Sequence, residues 1–200
     1  MNKERFEAFS DGVYAFAITL LILGIVLPSS KYSNDHDLIR DLLALWPNVL
    51  AYALSFAVIG IMWQNHHAIF RTVARVDRMS IFLNLLLLAG TAFIPFATST
   101  LGSYPTLHAA AFLYGLVLLY TATIYNLMLE HLIRSRAFKA EITPEILAAT
   151  RHAYRVGWCS YLLAMLLALV FPIASFAAYL AIALYFLIPS GVDDDLGDGD

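Results

Sequence analysis

From residue 12 to residue 27 the chain carries no charged side chain, and just ahead of that run it places Arg5, Glu7, Ser10 and Asp11. Sixteen helical residues at about 1.5 Å each, with the turn before them, approach the ~30 Å of bilayer hydrocarbon. Residues 5–27 therefore read as a first transmembrane helix with its polar groups at one end. A cleaved signal peptide would need a shorter apolar core and a small-residue cleavage site, whereas this run is long and ends in Leu27-Pro28. The remainder of the chain has the same character. Of its 200 residues 60% are hydrophobic and 14% charged, against about half and about a quarter in soluble domains. The expected fold is all-α, a polytopic membrane protein.

Apolar spans and short polar joints alternate along the chain. After the first span, residues 29–41 are a polar loop in which residues 38–45 begin the next helix early. The second span covers 42–63, with Pro47 in its first turns, where proline is tolerated. Residues 64–78, rich in polar side chains and arginine, form a joint. The third span covers 79–101, with Asn84 inside it and Pro95 as a kink. The fourth covers 108–132. In the long joint that follows, Thr143-Pro144-Glu145 has the form of a cap and first turn of a short helix. The fifth and sixth spans cover 156–171 and 176–188.

With the N-terminus inside, Lys3, Arg5, Arg71, Arg75, Arg78, Arg134, Arg136, Lys139, Arg151 and Arg155 all fall on the cytoplasmic side, and only Lys31 and Arg40 fall outside. This asymmetry predicts six transmembrane helices with both termini cytoplasmic. Residues 1–190 are then one six-helix domain, and 191–200 an acidic tail expected to be disordered. The net charge of −3 owes much to that tail and says little about partners.

Chemistry of the usual enzymatic kind has no motif here. GxSxG, GxxxxGK[ST], HExxH and paired cysteines are all missing from the sequence. The single cysteine, Cys159, excludes an internal disulfide and reads as a packing residue in an apolar segment. His66 and His67 are adjacent, point about 100° apart on a helix, and would not chelate one metal together. A metal or haem reading would need one of them with His108, His131 or His152, and interfacial histidines are more often hydrogen-bonded anchors. No TVGYG stretch offers the carbonyls of the usual potassium filter.

Two features of the first helix remain. Ser10 or Asp11 caps the helix start, or else Asp11, expensive this close to lipid, pairs with Arg5 or with a polar group on another helix. Phe16, Leu20 and Leu23 recur at i, i+4 and i+7, bordered by Thr19; periodicity alone allows this stripe to be ordinary helix packing.

The run Arg5-xxx-Phe9-Ser10-Asp11 resembles the RxxxFSD signature that opens the first helix in the transmembrane protein 175 family of potassium-permeable channels. Trp63-x-Asn65-His66-His67, with Phe70 after it, resembles that family's WxxHH-type motif at the end of the second helix. Asn84 and Pro95 also fit its prokaryotic members, and the likeness extends over essentially the whole chain. The resemblance implies a homotetramer in the cell membrane, bacterial or archaeal, in which the first helix of each subunit lines a central pore. Rings of apolar side chains, placed by their distance from Asp11 at Phe16, Leu20 and Leu23, would form the constriction, with Thr19 the nearest hydroxyl. The family usually has isoleucine or leucine where this chain has Phe16. Arg5, Phe9, Ser10 and Asp11 would join Trp63, Asn65, His66 and His67 in a network that holds the pore helix.

The partners implied are a second copy of the chain, the bilayer and monovalent cations, with no nucleic acid, no enzymatic activity and no cofactor beyond permeating K+. Two rivals come from other classes. A proton-coupled secondary transporter would use Asp11 with His66 or His67 as a relay, and a membrane enzyme or haem protein would use the histidines.

Overall fold

A computed structural model describes residues 3–28 and 31–187; the predicted acidic tail, 191–200, and the last residue of the sixth predicted span lie outside the described residues. The architecture is all-helical: α1 (Lys3–Leu20), a 3-10 turn (Leu21–Gly24), α2 (Asp35–Ala44), α3 (Trp46–Thr72), α4 (Arg78–Ser103), α5 (His108–Arg134), α6 (Pro144–Leu167) and α7 (Pro172–Phe186). Four of these are long and apolar enough to cross a membrane: α1 with its 3-10 extension, α3, α4 and α5.

The first helix starts earlier than its apolar run. Its opening KERFEAF contains mostly good helix formers, Glu4 suits the positive end of the helix dipole, and Lys3 pairs with Glu7 one turn on at 3.7 Å. Ser10 and Asp11 consequently sit in the third turn, and neither caps the helix. At the other end the helix tightens into the 3-10 turn, and Gly24 lets it lie against α4. A Cβ there would come within 3.1 Å of the Ser99 Cβ.

Residues 35–44 form a separate helix rather than the start of the second span. Asn34 caps it, its side-chain oxygen accepting from the Asp37 N–H at 2.9 Å, and Asp35 and Asp37 favour its first turn. Pro47 lies in the first turn of α3; lacking an N–H, it cannot continue the hydrogen-bond ladder of α2. The predicted joint at 64–78 is largely helical, because α3 continues to Thr72. The stretch QNHHAIFRT has neither glycine nor proline to stop it, and His66 finds its partners inside the bundle. Similarly, the short helix expected at Thr143-Pro144 and the fifth span are one helix, α6, capped by Thr143 and begun by Pro144. Cys159 is exposed on α6 instead of packing in the core.

The central element is α4, which packs on α1, α3 and α5; α5 in turn packs on α6 and α7, and α7 reaches back to α3. At the arginine-rich end the loops after α3 and α5 pair, with Ala74 N–H on the Ala137 carbonyl at 2.8 Å and Lys139 N–H on the Thr72 carbonyl at 2.9 Å. The Lys3 ammonium donates to the Val73 carbonyl at 2.8 Å and ties α1 to the same joint.

Beside that joint Asp77 caps α4. Partial burial raises its carboxyl pKa, but hydrogen bonds from the Ser80 N–H and hydroxyl, both 2.8 Å, and the His131 ring at 2.9 Å outweigh burial and bring it down to about 2. A carboxylate held below its ordinary value of 3.8 stabilises the fold above that pH, and the contribution is lost as pH falls through about 2. Asp77→Asn keeps the oxygen that caps α4 and removes the charge, together with the Oδ2 acceptor that meets His131. It is expected to melt below wild type near neutral pH, with the gap closing as the pH of the melt approaches 2; a gap independent of pH would sink this account.

Candidate functional site

The two faces of α1 differ sharply in cover. Phe6, Ser10, Tyr14, Ala17 and Leu21 are buried, at spacings of 4, 4, 3 and 4 that keep them on one side of a helix. On the other side Phe9 is 54% exposed, Phe16 65% and Leu23 68%; Thr19 is exposed and Leu20 half-buried. Only 28% of this span is buried within the subunit, against 44–50% of the other three membrane-length helices. Phe9, Gly12, Phe16 and Leu20 line a shallow apolar groove closed on one side by Ala92 of α4. The Thr19 hydroxyl donates to the Phe16 carbonyl at 2.8 Å, which leaves its oxygen as an acceptor on the exposed face.

The buried face carries a three-helix polar network. The Asn84 amide of α4 donates to the Ser10 hydroxyl oxygen at 2.9 Å, and its carbonyl oxygen lies 2.9 Å from His66 Nε2 of α3. The Ser10 hydroxyl in turn donates to the Phe6 carbonyl at 3.0 Å, which continues the chain of donors and acceptors onto the α1 backbone. All three side chains are at most 1% exposed. Aromatic rings wall the His66 imidazole: Phe70 at 4.6 Å, Tyr14 at 5.5 Å and Phe6 at 6.1 Å between centroids. Tyr14 in turn shares a 2.9 Å hydrogen bond with the Tyr125 hydroxyl of α5, and Tyr125 donates to the Met62 carbonyl.

A second link runs along the edge of the same contact. The Trp63 indole N–H donates to Asp11 Oδ1 at 2.9 Å, and the His67 ring stacks on the indole at 5.9 Å. Asp11 thus has the partner its position demanded, on α3 rather than in Arg5. Of the residues predicted for the network, Ser10, Asp11, Trp63, His66 and His67 are brought to the α1–α3–α4 contact. Arg5 and Phe9 are exposed, and Arg5 hydrogen-bonds none of these side chains. Asn65 faces a different cavity, between α3, α5 and α6.

Sequence reasoning gave no role to Phe6, Tyr14, Asn84 and Tyr125. Asn84 carried a usable signal, a lone amide in an apolar span; Tyr125 carried none, since its partner lies 111 residues away. Of the other histidines weighed for a metal, His108 meets the Ala168 carbonyl and His131 meets Asp77, each alone, while His152 is exposed. Among the described residues no group of three His, Cys, Asp or Glu side chains could hold a metal ion.

Long apolar helices joined by charged loops, with polar contacts closed between helices, define a multi-pass helical membrane protein. The family model for the endosomal/lysosomal potassium channel TMEM175 matches residues 5–95, the segment that contains Ser10, Asp11, Trp63, His66 and Asn84. A protein named as a potassium channel from Streptomyces collinus is 43% identical over 93% of this chain and 92% of its own length. Another of that name, from Chamaesiphon minutus, is 39% identical over 93% and 94%. A crystal structure described as a lysosomal potassium-selective channel TMEM175 homolog from Chamaesiphon minutus superposes with a TM-score of 0.84 at 38% identity, covering 93% of this chain and 96% of that one. The human endosomal/lysosomal proton channel TMEM175 is 37% identical over 64% of this chain but only 27% of its own length. The chain belongs to the TMEM175 family.

Proposed function

We propose that the chain is one subunit of a potassium channel, a homotetramer in which α1 of each copy lines a central pore. Phe16, Thr19, Leu20 and Leu23 line its constriction. The observation that carries this reading is the exposure of Phe16 and Leu23, 65% and 68%, on a helix whose opposite face is sealed by a polar network. An exposed apolar stripe on a membrane helix has two outlets, lipid or other copies of the chain. The names borne by the Streptomyces and Chamaesiphon relatives favour the second.

In this arrangement α6 and α7 complete six membrane crossings, with both termini cytoplasmic and the Lys- and Arg-rich loops on the same side. Residues 1–190 form the transmembrane domain and 191–200 a tail. With 15 residues, α7 extends about 22 Å and crosses by local thinning of the bilayer.

Conduction through such a pore needs no bond chemistry. Apolar rings exclude water when narrow and admit a partly hydrated cation when wide, so gating takes small helix rotations. Apolar walls do not replace lost hydration, so selectivity for potassium over sodium is modest beside that of a carbonyl cage. Phe16 adds electron-rich ring faces that attract a cation.

The proton-coupled transporter has weaker support. Asp11 reaches His66 through no hydrogen bond; its partner is the Trp63 N–H, a donor that cannot pass a proton on. The two readings separate in planar bilayers holding the purified protein between potassium and sodium solutions. The expected result is discrete unitary current that reverses toward the potassium equilibrium potential. Silent bilayers, with vesicle uptake driven by a pH gradient, would replace the channel by the transporter.

A further inference from the structure

Helices α5 and α6, of which α5 meets α1 through the Tyr14–Tyr125 hydrogen bond, bring complementary stripes together on their other faces. Thr123, Leu127 and Glu130 follow one another down α5 at i, i+4 and i+7; Arg151, Arg155 and Trp158 do so on α6. A groove opens between them, with Leu127, Trp158 and Cys159 as its apolar wall and Glu130 and Arg155 at its charged end.

The charges in that end do not balance. Arg151 donates from Nη2 to Glu130 Oε2 at 3.0 Å, and its Nε lies 2.6 Å from Oε1 in an ion-pair contact without the alignment of a hydrogen bond. Arg155 reaches the same carboxylate only at 3.5 Å and keeps 66% of its side chain exposed. Two guanidiniums thus share one carboxylate, and the surplus positive charge sits on Arg155 at the mouth of the groove. One turn deeper the Trp158 N–H is already donated to the Thr123 hydroxyl at 2.9 Å, so the indole offers the groove only its apolar surface. A basic group at the arginine-rich end of the bundle, with tryptophan and leucine directly below it, matches the charge and depth profile of one lipid molecule at a membrane interface.

We propose that this groove binds a single anionic phospholipid, its phosphate on Arg155 and its acyl chain along Leu127, Trp158 and Cys159. The preference for an anionic over a zwitterionic headgroup comes from the unbalanced guanidinium, since Glu130 is already neutralised by Arg151.

Native mass spectrometry of the full-length protein, titrated with phosphatidylglycerol or phosphatidylcholine of identical chains, tests the site. Phosphatidylglycerol is expected to bind about fivefold more tightly, the effect of about 1 kcal/mol per basic residue at a membrane surface. Arg155→Gln, which leaves the Arg151–Glu130 pair intact, is expected to abolish that preference, and Arg40→Gln at the opposite end to preserve it. Leu127→Trp fills the groove without altering charge and is expected to lower binding of both lipids. An undiminished preference in Arg155→Gln overturns the proposal. So does displacement of phosphatidylglycerol by excess inorganic phosphate, which would make Arg155 a site for free anions. Loss of the oligomer in Arg155→Gln, with lipid binding unchanged, would overturn it by showing the groove to be covered by another subunit.

Discussion

Replacing Asn84 with leucine is expected to destabilise the subunit by about 2–4 kcal/mol. The substitution nearly conserves volume, so the cost is polar rather than steric. Asn84 donates to Ser10 and its carbonyl oxygen accepts from His66 Nε2; without it a buried hydroxyl oxygen and a buried ring nitrogen both lose their partners. Interhelical hydrogen bonds in membranes average only about 0.6 kcal/mol each, because the unfolded chain also finds partners in lipid. Here, however, one residue ends two bonds at once and strands two groups, each costing about 1–3 kcal/mol. Reversible unfolding in detergent measures the loss. Adding Ser10→Ala to the Asn84→Leu chain should then cost almost nothing, since its partner has already gone. A loss below about 0.5 kcal/mol, or full additivity of the two changes, would show that the network does not hold α1 in place.

Phe16→Ala has the opposite signature, little effect on stability and a large one on current. The side chain is 65% exposed in the subunit, so truncation opens no cavity in the core. In the proposed tetramer it removes one ring from each of four copies at the constriction, and unitary potassium conductance is expected to rise several-fold as the hydrophobic barrier rewets. Leu23→Ala, 68% exposed before truncation, is expected to act in the same direction. Selectivity for potassium over sodium should fall in both, read from the reversal potential under the same gradient. Wild-type conductance and reversal in both variants would remove this face of α1 from the pore and hand it to lipid.

The contrast between these two variants shows where the sequence was legible. The stripe of Phe16, Leu20 and Leu23 follows from spacing alone. The buried face beneath it does not, because in an almost wholly apolar run Tyr14, Ala17 and Leu21 have little contrast with their neighbours. The motif residues Ser10, Asp11, Trp63 and His66 were readable as a group, and Asp11 demanded a partner on electrostatic grounds. Nothing local told that the partner would be the Trp63 N–H instead of Arg5.

Helix ends were misjudged for a related reason. The polar residues at 64–72 suggest a boundary, yet in a membrane bundle a polar side chain need not end a helix where it has a partner inside. His66 has one, and the helix runs on past it.

The Ser10–Asn84–His66 bonds also carry a consequence for how the chain finds its arrangement. Apolar helix faces in lipid attract one another no more than they attract acyl chains, so adhesion distinguishes poorly between one alignment and the next. Directional bonds do distinguish: sliding α4 by a single turn, about 5.4 Å, would carry Asn84 out of reach of both partners at once. The triad therefore works as an address, selecting one axial register of three helices from several that greasy surfaces alone would accept.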